Sequence, residues 1–168
     1  LAVIAAARIG ISDRPQSKRE LARIVHADPF DEDTFLVVMN SANMSSPSRK
    51  NFYAAFAGFE KARQLLAKGG VRAVLYCHTE PTGAVHKGED LCTMAESLHI
   101  PIKSLFFPPQ YPLLTGRISP EFLRGVYCAG DVFLHTARGE GFGLPIVEAM
   151  ACGCPTIAPR NSSMVEFG

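Results

Sequence analysis

Residues 131–153 read D-V-F-L-H-T-A-R-G-E-G-F-G-L-P-I-V-E-A-M-A-C-G. The first six form a short apolar run with strand character, and Leu144 to Cys152 carries apolar residues at helical spacing with no glycine among them. Between the two, Gly139, Gly141 and Gly143 surround Glu140, so the stretch predicts a strand, a bend and a helix in immediate succession. Glu140 and Glu148 stand eight positions apart across that bend.

The same alternation extends outward. Apolar, partly β-branched runs at Thr34 to Asn40, Val71 to His78, Pro101 to Phe107, Asp131 to Thr136 and Pro155 to Ala158 read as strands. Segments of helical period separate them: Asn51 to Lys68, Gly88 to Leu98, Pro120 to Ala129 and Leu144 to Cys152. Ser119-Pro120-Glu121 supplies a cap, a proline for the first turn and an early acid, and Gly69-Gly70 ends the first of these helices. Alternating elements with nearly continuous apolar strands call for a parallel sheet covered by helices on both faces, an α/β doubly wound fold. Such sheets bind ligands beyond the carboxyl ends of their strands, where 40–50, 78–87, 106–116 and 136–143 are expected. Residues 1–15 read as a linker and Gln16 to Val25 as a short amphipathic helix, followed by one domain over 16–168.

Composition limits the partners. Seventeen basic side chains nearly balance sixteen acidic ones over 168 residues, so no field of one sign favours nucleic acid, and any anion site is local. Cys77, Cys92, Cys128, Cys152 and Cys154 form no C-x-x-C pair and lie in or beside apolar segments, as suits buried thiols in a reducing cytoplasm. Cys152-Gly-Cys154 has no histidine at a ligating spacing, and no metal or other cofactor is expected. The apolar opening, Leu1 to Ala7, stops at Arg8, too short to span a bilayer and lacking the basic start of a signal peptide. The Leu start and the ending at Gly168 suggest a piece of a longer protein.

The bend itself suggests an anion cradle. Its glycines allow close approach of the backbone and positive φ, and Pro145 stands near the first position of the helix. The N–H groups of Gly143 and Leu144, at the positive end of that helix, suit a diphosphate. Arg49 and Lys50, after the first strand and on the same expected edge, are the candidates to neutralise it. Glu140 would accept from sugar hydroxyls and Glu148 from a ribose diol, each charge-assisted bond contributing about 1.5–3 kcal/mol. The expectation is a nucleotide-sugar site.

The run from Asp131 to Ala158 resembles the signature of group 1 (family 4) glycosyltransferases, with their E-x7-E motif at Glu140 and Glu148. The likeness extends more loosely from Lys18 to Glu166. R-K-N at 49–51 is similar to the family's phosphate-binding segment, Lys50 matching its lysine, and S-P-E-F-L-R-G-V-Y-C-A-G-D at 119–131 is similar to the helix before its signature strand. The resemblance implies a GT-B architecture, with this chain most of the Rossmann-like, donor-binding, C-terminal half. It implies Glu140 near the donor sugar, Gly141, Phe142, Gly143 and Leu144 lining sugar and phosphate, and Glu148 on the ribose. Arg49 stands in for a family arginine that usually lies earlier, where this chain has Asn40-Ser41-Ala42. Glu140, Lys50 and Arg49 are thus the expected catalytic residues. The resemblance further implies retaining hexosyl transfer without a metal, an N-terminal acceptor domain outside this chain as partner, and a C-terminal continuation. It leaves room for peripheral membrane contact of the parent.

Two rivals follow from the residues. A binding module without activity of its own is the expected state of the chain in isolation. An NAD-binding domain fits less well, because Gly139-x-Gly141-x-Gly143 is not G-x-G-x-x-G, follows the fourth strand rather than the first, and no acid ends the next strand at Ala158. Several residues have plainer readings: His135 as a packed or hydrogen-bonded residue near its strand end, Phe106 and Phe107 as core, and Asp31-Glu32-Asp33 as a solvated turn rather than a metal motif. The sequons at Asn43 and Asn161 would matter only in a secreted protein.

Overall fold

The computed structural model describes residues 14–25 and 33–166. Five parallel strands, β1 (Phe35–Asn40), β2 (Ala73–His78), β3 (Leu105–Phe106), β4 (Val132–Leu134) and β5 (Thr156–Ile157), form one sheet in the order β3-β2-β1-β4-β5. The chain moves outward from β1 to β3, then returns past its start to place β4 beside β1. That reversal opens a crevice beyond the carboxyl ends of β1 and β4.

Both faces of the sheet are covered, which explains the unbroken apolar character of the central strands. Leu36 and Val38 of β1 point to one side, into a core shared with Leu21, Val126, Phe133 and Ile146. Val37 and Met39 point to the other and meet Phe52, Phe56, Phe59 and Leu91. The first core belongs to helices α1 (Arg14–Ile24), α5 (Pro120–Ala129) and α6 (Leu144–Ala151), the second to α2 (Phe52–Lys68) and α3 (Leu91–Ser97). The α/β doubly wound fold expected from the pattern is the fold observed.

Local signals account for the helix ends. Ser119 Oγ accepts from Phe122 N–H at 3.2 Å and Pro120 opens α5, while Gly69 closes α2. Asp90 caps α3 by accepting from the N–H groups of Cys92 and Thr93, each at 3.0 Å.

Several expectations need correction. The segment 101–107 begins with a 3₁₀ turn at Ile102–Ser104, so only Leu105 and Phe106 pair in the sheet. The loop expected at 106–116 contains a five-residue helix, α4 (Gln110–Leu114), where Pro109 stands at the N-cap and Leu113 N–H bonds back to its carbonyl at 3.3 Å. α3 starts at Leu91 rather than Gly88, because the Asp90 cap sets the boundary. Arg14 and Pro15, read as linker, open α1, and Arg14 stands 3.7 Å from Asp131. The rest of the expected linker, 1–13, lies outside the described residues, as do Asp31 and Glu32 of the acidic turn. Four thiols are buried as expected, but Cys92, one residue into α3, is exposed.

Candidate active site

The bend after β4 is shaped by Gly143. It takes φ 78° and ψ 42° at the start of α6, a left-handed conformation open to glycine at little cost. Gly139 and Gly141, expected to share that freedom, stay outside the positive-φ region. The N–H groups of Gly143 and Leu144 donate to no described residue, whereas those of Ile146 and Val147 turn back to the Gly143 carbonyl. The amino end of α6 therefore carries two N–H groups without a described partner, that of Leu144 on an exposed residue and that of Gly143 on a buried one, with the helix's positive pole behind them.

Glu140 is the centre of a charge cluster. Its side chain is 8% exposed, and Arg49 Nη1 donates to Oε2 at 2.9 Å. Lys50 Nζ donates to the other oxygen, Oε1. His135 Nε2 lies 3.3 Å from that same oxygen. Burial works against the charge on Glu140, yet the hydrogen bonds from Lys50 and Arg49 outweigh it and hold the carboxyl below the usual carboxylate range. The two cations expected to face a diphosphate thus meet the expected sugar acid.

Backbone contacts fix this meeting. Thr136 Oγ1 donates to the carbonyls of Lys50 and Asn51 at 3.0 and 3.1 Å, and Arg138 N–H donates to the Arg49 carbonyl at 2.9 Å. Arg49 Nη1 also donates to the Gly139 carbonyl at 2.8 Å. From the opposite side, Ser162 and Ser163 hydroxyls donate to the Glu140 carbonyl at 2.7 and 3.0 Å. The segments after β1 and after β4 are stitched into one wall of the crevice.

Glu148 has a different set of partners. Tyr127 of α5 donates its hydroxyl to Glu148 Oε2 at 2.8 Å, and Asn40 Nδ2 donates to the same hydroxyl at 2.8 Å. Asn40, the last residue of β1, also lines a cavity of about 380 Å3 with Asn43, Met44, His78, Glu80 and His86. That cavity sits at the carboxyl ends of β1 and β2. A hollow of about 780 Å3 on the β5 side, lined by Ile146, Met150, Cys154, Pro155 and Met164, includes neither glutamate.

The remaining expected site residues lie on the bend itself: Gly141 is exposed, and Phe142 and Leu144 are about half exposed, at 51% and 47%. Tyr127, Asn40, Thr136, Ser162 and Ser163 were not foreseen. Tyr127 lies among apolar residues of α5, and the hydroxyl contacts join positions 21 to 87 residues apart, beyond the reach of any local pattern. Asn43 is 3% exposed and donates to the carbonyls of Glu80 and Glu89, so its sequon marks a structural clamp. Among the described residues no group of three or more His, Cys, Asp or Glu is placed to hold a metal ion.

Residues 109–167 match the family model of Glycosyl transferases group 1. A D-inositol 3-phosphate glycosyltransferase of Mycolicibacterium smegmatis is 30% identical over 141 residues, an alignment covering 83% of this chain and 28% of that protein. The O-antigen chain mannosyltransferase B of Escherichia coli is 41% identical over 51 residues, covering 30% of this chain and 13% of that one, so the chain spans well under a third of these curated relatives. In fold, the catalytic domain of starch synthase IV from Arabidopsis thaliana superposes with a TM-score of 0.59 at 16% identity, over 97% of this chain and 30% of that one. Signature, matched residues and sheet agree: residues 109–167 are similar to the group 1 glycosyltransferases, and the parallel sheet with flanking helices matches the Rossmann-like domains of GT-B enzymes.

Proposed function

We propose that this chain is the donor-binding part of a retaining glycosyltransferase that moves a hexose from a nucleotide-diphosphate sugar. The observation that carries the reading is the convergence of Arg49, Lys50 and Glu140 beside the unpaired N–H groups of Gly143 and Leu144. The diphosphate sits at the amino end of α6, where donors and helix pole favour an anion. Lys50 and Arg49 neutralise it. Charge grows on the diphosphate as the glycosidic bond breaks, so cations fixed there stabilise the transition state more than the bound ground state. Glu140 takes a sugar hydroxyl, and Glu148, held by Tyr127, takes the ribose diol. The cavity at the ends of β1 and β2 has room for the nucleoside, and Asn40 joins it to the Glu148 relay. No metal or other cofactor is assigned a role.

The acceptor site is proposed to lie on an N-terminal domain of a longer parent working in the cytoplasm, because the chain spans 28% of the Mycolicibacterium smegmatis relative. Alone it binds donor and transfers nothing. A thermal-shift and calorimetric screen of UDP-, GDP- and ADP-sugars against NAD tests the reading. Lys50→Ala and Glu148→Ala are expected to weaken binding of the preferred donor by about 10- to 100-fold each. Equal affinity in both variants, or stabilisation by NAD alone, would refute the assignment.

A further inference from the structure

His135, one residue beyond β4, is 1% exposed, and neither of its ring nitrogens has a hydrogen-bond partner. One face stacks on Phe133, with ring centroids 6.3 Å apart and planes 19° from parallel. Burying an unsatisfied polar group is costly, so simple packing is a poor account of this residue. Its Nε2 lies 3.3 Å from the Glu140 oxygen that Lys50 also grips, within ion-pair distance but outside hydrogen-bond geometry. The charged groups that act on the ring are Glu140 from the bend and Lys50 and Arg49 from the segment before α2. Burial, the largest influence, holds the imidazole below its ordinary value, Glu140 pulls it up, and the two cations push it down again.

We propose that His135 is a positioning residue for Glu140 that takes up a proton from solvent when a diphosphate binds. The inference rests on the donor-binding reading. An incoming diphosphate competes with the Glu140 carboxylate for Lys50 and Arg49 and adds negative charge to the cluster. As those cations turn toward phosphate, Glu140 loses the two partners that offset its burial. His135 already stands on its buried side, and protonating Nε2 supplies a donor to Oε1. The carboxylate then stays ionised and oriented, with Oε2 directed to a sugar hydroxyl. The proton returns to solvent when the diphosphate leaves.

The sign of the coupling is fixed. Ligand raises the proton affinity of His135, so the complex binds more protons than the free protein and affinity strengthens as pH falls through the imidazole range. UDP-glucose and GDP-mannose are suitable probes, because their phosphodiesters do not titrate between about pH 5.5 and 8. Calorimetry in two buffers of different ionisation enthalpy is expected to show net proton uptake. Affinity should tighten by about three- to tenfold from pH 8 to pH 5.5. His135→Gln, which keeps an amide donor, should retain affinity near pH 8 but lose the uptake and the pH dependence, whereas His135→Ala weakens binding throughout. Binding without proton uptake, or the same uptake in His135→Gln, overturns the proposal while leaving the donor reading intact.

A ligand-free measurement keeps the two ideas separable. In NMR titrations, Lys50→Met should move the His135 midpoint up and Glu140→Gln should move it down. A midpoint indifferent to both changes overturns the coupling. Failure of every nucleotide sugar to bind sinks the donor reading and, with it, the proton uptake.

Discussion

His78 shows how the fold sets the chemistry of a single side chain. It closes β2, its Nδ1 lies 2.9 Å from the Tyr76 hydroxyl, and its ring rests 6.2 Å from that of Phe122. Burial lowers its pKa to about 4. An unfolded chain protonates the same imidazole near its ordinary value of about 6.5, so the unfolded state binds more protons in between. The stability present at neutral pH is therefore lost as pH falls from about 6.5 toward 4, at a cost of roughly 2–3 kcal/mol from this residue. Urea unfolding at pH 7.5 and pH 4.5 should show a smaller acid loss in His78→Gln than in the parent; an identical loss in both would mean that the ring ionises freely in the native state. At this scale the sequence was legible in part. Glu140 and Glu148 stood out by spacing, whereas His135 read as a packed or hydrogen-bonded residue and Tyr127 was not singled out, because the partner that gives each a role lies on another segment.

At the scale of elements, the bend between β4 and α6 separates its glycines by function. Gly143 occupies a left-handed conformation, and any side chain there is strained. Gly141 is not in that region, and a Cβ added to it meets nothing within 4 Å. Gly143→Ala is expected to lower stability by about 1–2 kcal/mol and to weaken anion binding, and Gly141→Ala to be neutral or slightly stabilising. Denaturant midpoints of the two variants check this, and equal effects would contradict the division. The Ser119 cap marked its helix boundary in the sequence, whereas the Asp90 cap was not read and α3 begins three residues later than expected. α4 was missed because its five residues, Q-Y-P-L-L, are too few to display a period. β3 was overextended because a 3₁₀ turn and a strand look alike in a run such as P-I-K-S-L-F-F.

The whole molecule is tied across its sheet by one buried cation. Lys18 of α1 is 4% exposed and donates to the Thr34 carbonyl at 2.8 Å and to Asp131 Oδ2 at 2.7 Å. Asp131 also accepts from Leu36 N–H at 2.8 Å, so a single carboxylate at the amino end of β4 fastens both α1 and β1. Asp131→Ala removes one partner of that ammonium and the acceptor of the Leu36 N–H, and a loss of about 2–3 kcal/mol is expected. In a Lys18→Met background the same change should cost at least about 1 kcal/mol less, a coupling that a double-mutant cycle of unfolding free energies measures. Additive costs would show that the pair is incidental to the docking of α1.

The sequence by itself determined the classes of element, the doubly wound sheet and the E-x7-E bend, because hydrophobic period, caps and glycine chemistry act over a few neighbouring residues. Tertiary structure alone decided the order β3-β2-β1-β4-β5, and with it the site. Arg49 and Lys50 reach Glu140, about ninety positions away, since the topological reversal lays β4 beside β1 and brings the segments after both strands to one crevice. Strand pairing is a choice among distant partners, settled by burying both faces of the sheet at once, and no local pattern records it.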